Sequence, residues 1–144
     1  METRYQHTQV GRITLAAVGV SMAAVALWSL RTTNPAPLVI LVVTAFVMAL
    51  FSTLTVTVSG DAVNVAFGPG LIRRRIPLTR IRAARVVRNA WYYGWGIRMT
   101  PHGWLWNVSG LGGVELEFTD GTRFRIGSDE PEALAAALGR ALGR

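Results

Sequence analysis

Between Arg12 and Asp61 the chain carries a single charge, Arg31. That run constrains the fold more than any other feature. Ile13 to Leu30 is eighteen uncharged residues, about 27 Å as a helix, close to the roughly 30 Å of a bilayer core. A Thr-Thr-Asn-Pro-Ala-Pro turn follows, then LVILVVTAFVMALF from Leu38 to Phe51. Pro35 or Pro37 opens the second helix without losing a needed hydrogen bond. A remainder of about ninety residues is too small to cover two helices that are apolar on all sides. The reading is a transmembrane hairpin, with helices over about 13–30 and 36–52. A secretory signal peptide seldom has so long an apolar core followed at once by another.

Orientation follows from arginine placement. Arg4 and Arg12 precede the first span, Arg31 sits in the turn, and Arg73, Arg74 and Arg75 follow the second. The positive-inside rule then places both termini in the cytoplasm of a multi-pass inner-membrane protein. Residues 1–52 are read as a tail plus hairpin, and 53–144 as the folded domain.

After the hairpin the hydrophobic period changes from helical to strand-like. Leu54, Val56 and Val58 alternate with polar residues up to a Gly60-Asp61 turn. A two-residue loop then pairs Val58 with Val63, Val56 with Val65 and Leu54 with Phe67, all on one face. Thr119-Asp120-Gly121 sets Leu116 against Phe124 and Val114 against Ile126, with Glu115 and Glu117 facing Arg125 and Arg123. Those carboxylates therefore read as cross-strand ion pairs, not as an acid–base couple. Thr100-Pro101-His102-Gly103 reads as a type I turn leaving through a left-handed glycine, which pairs Met99 with Leu105 and sets Arg98 against Trp106. Strand alternation would put Arg74 on the apolar face, so a bulge or an edge position is expected there. Asp129 with Glu132 forms a capping-box-like start for a final helix carrying Leu134, Leu138 and Ala141 or Leu142. The fold class is α+β: a membrane hairpin, a small sheet domain and a closing helix.

Two spans, then a strand-rich region with GWGIR, NVSG and VELEFTDGTRFRIGSDEPEAL and a last helix, resemble the bacterial pleckstrin-homology-like membrane proteins, the actinobacterial members in particular. The resemblance covers about residues 52–140. It implies an antiparallel barrel or half-barrel with a helix over one opening, and a membrane-associated binding or scaffolding role. It carries no catalytic residue to this chain.

All fifteen basic residues are arginine and the net charge is +7, which favours anionic partners. Eight arginines and no acid lie between Ala62 and Val114, while six of the eight acidic residues fall between Glu115 and Glu132. Arg73, Arg74, Arg75, Arg80, Arg82, Arg85 and Arg88 are expected to meet anionic lipid headgroups or an acidic partner. Asn89 to Gly110 holds four of the five tryptophans. Trp95, between two glycines, is the expected core residue, Trp106 the cation–π partner of Arg98, and Trp91, Tyr92 and Tyr93 the interfacial patch.

No enzyme is expected. The chain has no cysteine, His7 and His102 fall in a polar tail and a turn, and Gly68-Pro69-Gly70 reads as a turn instead of a phosphate loop. No cofactor or metal is implied. The basic stretch lacks any nucleic-acid motif, and a membrane tether argues against that partner. The alternative is a structural subunit that meets another membrane protein, or a second copy of itself, through its helices. Ala16, Ala17, Gly19, Ala23 and Ala24 would allow that close approach.

Overall fold

The computed structural model describes residues 3–143. Met1, Glu2 and Arg144, at the ends of the two expected units, lie outside the described residues. Two helices, antiparallel and mixed sheets and a C-terminal helix give an α+β fold.

The polar tail is a strand. β1 (Thr3–Val10) pairs antiparallel with β2 (Thr53–Ser59), from Val10 opposite Thr53 to Tyr5 opposite Val58. Its inward side carries Tyr5, His7 and Gln9, with Gln9 buried and the other two half-buried. A strand whose inner positions are polar gives no hydrophobic alternation, and so no sequence signal. The expected boundary at residue 52 is therefore corrected: the sheet domain is assembled from both sides of the hairpin.

The hairpin is an insertion in the β1–β2 turn. α1 (Arg12–Ser29) leaves directly from β1, and α2 (Ala36–Phe51) returns directly into β2. The Gly11 amide donates to the Ser52 carbonyl at 2.8 Å, so the chain departs and re-enters at one point. α1 is long and apolar enough to cross a membrane. α2, at 16 residues, spans about 24 Å and is shorter than that length. Thr14, Val18, Met22 and Val25 on α1, and Pro37, Leu41, Thr44 and Met48 on α2, form half-buried or buried stripes at helical spacing. The remaining apolar faces are open, including Val20 at 73%, Val42 at 70% and Phe46 at 62% exposure. Helices apolar on all sides need an apolar surrounding.

The first sheet runs β1-β2-β3-β4, with β3 (Ala62–Phe67) and β4 (Ile72–Pro77). Its β2–β3 register is the expected one. The second sheet comprises β5 (Ile81–Arg88), β6 (Gly96–Thr100), β7 (Gly103–Asn107), β8 (Gly112–Phe118) and β9 (Arg123–Gly127) in the order β5-β8-β9-β7-β6. The β8–β9 register also matches expectation. β7 and β9 run parallel, because the β8–β9 hairpin slots β9 between β8 and β7. The sheet is thus mixed and not wholly antiparallel.

The β6–β7 register differs from expectation by one residue. Thr100 pairs with Gly103 across a two-residue loop, its hydroxyl donating to the Gly103 carbonyl at 2.8 Å and accepting from the His102 amide at 3.1 Å. Met99 therefore faces Trp104, Arg98 faces Leu105, and Ile97 faces Trp106.

One apolar core joins both sheets to α3 (Pro131–Ala141), through Val56, Phe67, Trp106, Leu116, Phe124, Leu134 and Leu138. The α3 start departs from the capping box. Glu130 is the cap residue, and Ser128 Oγ accepts from its amide at 3.0 Å. Asp129 instead bonds His7 Nε2 at 2.6 Å, tying β1 to the helix start.

Candidate functional site

The point where the hairpin meets the sheets defines one end of the domain, its base. Four segments distant in sequence converge there. The Gly68–Leu71 turn docks under α2: the Gly68 amide donates to Thr53 O at 2.9 Å, and a Cβ on Gly68 would stand 2.6 Å from Leu50 O at a φ of +51°. The Val108–Gly110 loop receives the Thr14 hydroxyl at Val108 O and the Gln9 amide at Ser109 O. Trp95 donates from Nε1 to Gly110 O at 3.3 Å. Arg98 donates from Nε to Trp95 O at 3.0 Å.

A groove of about 410 Å³ opens at this junction, between Thr14, Val47, Met48 and Phe51 of the hairpin and Trp95, Gly96, Ile97, Arg98 and Val108 of the sheet side. Leu71, at 74% exposure, projects from the Gly68–Leu71 turn and does not line the groove. Sequence reasoning assigned no role in the site to Arg98 or Leu71. Leu71 had a legible signal, being an apolar residue in a turn that strand alternation does not need. Arg98 had none, because its neighbours come from remote segments.

The expected arginine surface is divided by the fold. Arg75 is paired with Asp61, Arg82 with Glu117 at 3.6 Å, and Arg85 with Glu115 at 3.3 Å and Glu117 at 3.4 Å. Arg74 needs no bulge: it lies in regular register opposite Val65 on edge strand β4. Its guanidinium stacks 4.5 Å from the Phe124 ring centroid and 5.9 Å from that of Phe118. Burial, helped by the nearby Arg80 charge, lowers its pKa from the ordinary arginine value. Arg80 in turn lies 5.4 Å from the Phe118 ring. Five of the seven thus have partners within the chain. Arg73 and Arg88 are exposed, and no carboxylate among the described residues pairs with them, nor with Arg12 or Arg98.

The aromatic stretch separates as well, but not as expected. Trp106 is the core residue, 8% exposed, with its ring 5.2 Å from Phe67 and 5.8 Å from Phe124. It does not stack on Arg98. Trp95 is 38% exposed and belongs to the base. The first correction follows from the one-residue register shift, which sets Trp106 opposite Ile97, and the second from the position of Trp95 just before edge strand β6. Trp106→Ala is expected to cost about 3–5 kcal/mol of stability, whereas Trp95→Phe changes the thermal midpoint little. Denaturation of the two purified variants in detergent checks this, and equal losses would reject the assignment.

Trp91, Tyr92 and Tyr93 belong to the connection between β5 and β6. Those strands are opposite edges of the sheet, so residues 89–95 cross about four strand spacings, near 19 Å. Trp91 and Tyr92 are 80% and 69% exposed, and an edge-on ring series continues through Tyr93 to His102. At the start of this strap Asn89 is buried and accepts from Arg125 Nη1 at 3.2 Å. Arg125 also donates from Nε to Glu115 at 2.9 Å, in a pair 8% and 3% exposed.

At the start of α3, His7, Asp129 and Glu130 meet Tyr5, whose hydroxyl donates to Glu130 Oε2 at 3.5 Å. Burial, with the Glu130 charge adding, pushes the Tyr5 pKa up to about 12. Among the described residues no group of three or more His, Asp or Glu side chains is arranged to hold a metal ion. No family model matches this chain, and no curated protein or solved structure is similar to it.

Proposed function

We propose that this chain is a membrane-anchored, non-catalytic binding module of pleckstrin-homology-like type, whose basic base meets anionic headgroups. The observation that carries the reading is the insertion of an apolar hairpin into the turn between two paired strands. Two connections, not one flexible linker, hold the domain to the helices. If α1 crosses a bilayer, α2 must cross back, since both leave and rejoin the sheet at Gly11 and Ser52. Modest local thinning accommodates the shorter α2.

With β1 and the sheets on one side, Arg4, Arg12, Arg73 and Arg98 share that side and Arg31 stands alone at the hairpin tip. This distribution supports a cytoplasmic domain at the inner membrane. Each arginine near an anionic leaflet contributes about 1 kcal/mol, fading over a Debye length of about 8 Å.

The chain has no cysteine, so single cysteines report without background. Thr33 sits at the hairpin tip, and Gly60 at the far end of β2, where an added Cβ meets nothing within 4 Å. In intact cells a membrane-impermeant maleimide is expected to label Thr33→Cys and to leave Gly60→Cys unlabelled until lysis. Labelling of both from outside would reject the two-crossing cytoplasmic arrangement.

A second reading has its own observation. Ala16, Ala17, Gly19, Ala23 and Ala24 are all exposed on α1, and a Cβ on Gly19 would meet nothing within 4 Å. That small-residue face suits a structural subunit packing on another membrane helix, from a partner or a second copy.

A further inference from the structure

We propose that the groove between α2 and β6 binds one anionic phospholipid, with an acyl chain along Val47, Met48 and Phe51 and the phosphate on Arg98. The inference rests on the hairpin lying in a bilayer and goes beyond that reading by naming a site. The groove's volume, about 410 Å³, falls in the range of small-molecule pockets.

Its two walls differ in origin. One is the last turn and a half of α2, where Val47 remains 41% exposed and so opens toward the acyl region. The other is Trp95 and Ile97 on the sheet edge. Backbone carbonyls position both polar groups in advance. Gly110 O holds the Trp95 indole at 3.3 Å, and Trp95 O holds Arg98 Nε at 3.0 Å. The second bond spends one donor of the guanidinium and leaves its two terminal NH₂ groups for an anion.

Arg98 is exposed and without a carboxylate among the described residues, as are Arg12, Arg73 and Arg88, and of these four it is the one that lines the groove. Arg74 covers core aromatics, and Arg75, Arg82 and Arg85 are held by carboxylates. No acid among the described residues lies within 4 Å of Arg98. An uncompensated cation at the mouth of an apolar groove calls for a ligand that is anionic at one end and hydrocarbon at the other. A soluble anion would satisfy Arg98 but leave the apolar wall in water. A zwitterionic lipid would fill the groove but bring its own cation to the guanidinium. An anionic diacyl lipid satisfies both ends.

Trp95 supplies the readout. The full chain is reconstituted into phosphatidylcholine vesicles containing either phosphatidylglycerol or phosphatidylcholine brominated in the upper acyl chain, which quenches nearby indoles. The Trp95 signal is the difference between the parent and Trp95→Phe. Brominated phosphatidylglycerol is expected to quench it at about fivefold lower mole fraction than brominated phosphatidylcholine, the size of one arginine–headgroup contact. Arg98→Gln should abolish the preference, Arg98→Lys should retain most of it, and Arg140→Gln should leave it intact. Val47→Phe with Met48→Phe should fill the groove and reduce quenching by both lipids. Equal quenching by the two lipids, or a preference that survives Arg98→Gln, overturns the groove alone. Failure of the chain to enter vesicles overturns the membrane reading and the groove with it.

Discussion

Replacing residues 12–51 with an Asn-Gly turn between Gly11 and Ser52 is expected to give a folded, water-soluble domain. Val10 already lies opposite Thr53, and the Gly11–Ser52 hydrogen bond closes the ladder at 2.8 Å. A two-residue type I′ loop fits such a pair, so β1 and β2 become an ordinary hairpin. The deletion removes the exposed apolar faces of α1 and α2 and takes little from the core, whose buried members lie elsewhere. By contrast, a fragment beginning at Thr53 loses β1, leaving the β2 edge bare and Asp129 without His7. Exposed edges of this kind pair with other chains, and this fragment is expected to aggregate. Dispersed amide NMR signals from the first protein and not the second is the expected result. Equal folding of both would show that β1 is dispensable. The soluble domain keeps Arg73 and Arg98, so it is also expected to float with anionic vesicles at low salt and to release as salt rises.

Glu115→Ala is expected to be the most damaging single substitution on the outer face of the second sheet. Glu115 is 3% exposed and holds Arg125, itself 8% exposed, at 2.9 Å, while also facing Arg85 at 3.3 Å and Arg123 at 3.8 Å. Its removal leaves a nearly buried guanidinium with the Asn89 side-chain oxygen at 3.2 Å as its remaining bonded partner. Breaking a buried pair on one side costs about 3–5 kcal/mol, which for a domain of this size lowers Tm by roughly 15 °C or more. The strap from Asn89 should loosen with it, and its amides should exchange faster. Replacing both residues by leucine removes the uncompensated charge and is expected to recover much of the loss. A single-variant loss within about 1 kcal/mol, or a double variant worse than the single, would refute the assignment.

How much of this was legible depended on how local the determinant was. The β2–β3 and β8–β9 hairpins follow from side-chain alternation across short turns, and their registers are those that alternation implies. The β6–β7 turn gave the wrong register because its length is ambiguous from sequence: Gly103 suits a left-handed exit from a longer loop as well as a paired position after Pro101-His102. That single step moved Trp106 onto the core face, while Trp95, just ahead of edge strand β6, stayed partly open. β1 was illegible because its inner residues are Tyr5, His7 and Gln9, which hydrogen-bond partners a hundred or more residues away instead of burying apolar surface.

The arginine-rich surface illustrates the same limit. Sequence shows that acids and bases are segregated along the chain, but not that β8 lies beside β5. That adjacency brings Glu115 and Glu117 back to Arg82 and Arg85 and removes them from the surface available to a partner. The groove at the base is likewise assembled from α1, α2, β6 and the loop after β7, which no local pattern connects.

By itself, then, the sequence determined what each short stretch prefers. It specified two apolar helices around a proline turn, alternating strands, a closing amphipathic helix and a basic balance. Periodicity, turn chemistry and charge are properties of neighbours along the chain. Tertiary structure alone decided that the polar N-terminus closes the sheet, which arginines are consumed by ion pairs or aromatic rings, and that Trp95 and Arg98 stand at the hairpin base. Those outcomes depend on which strands become neighbours, a choice made by burial of the whole core at once.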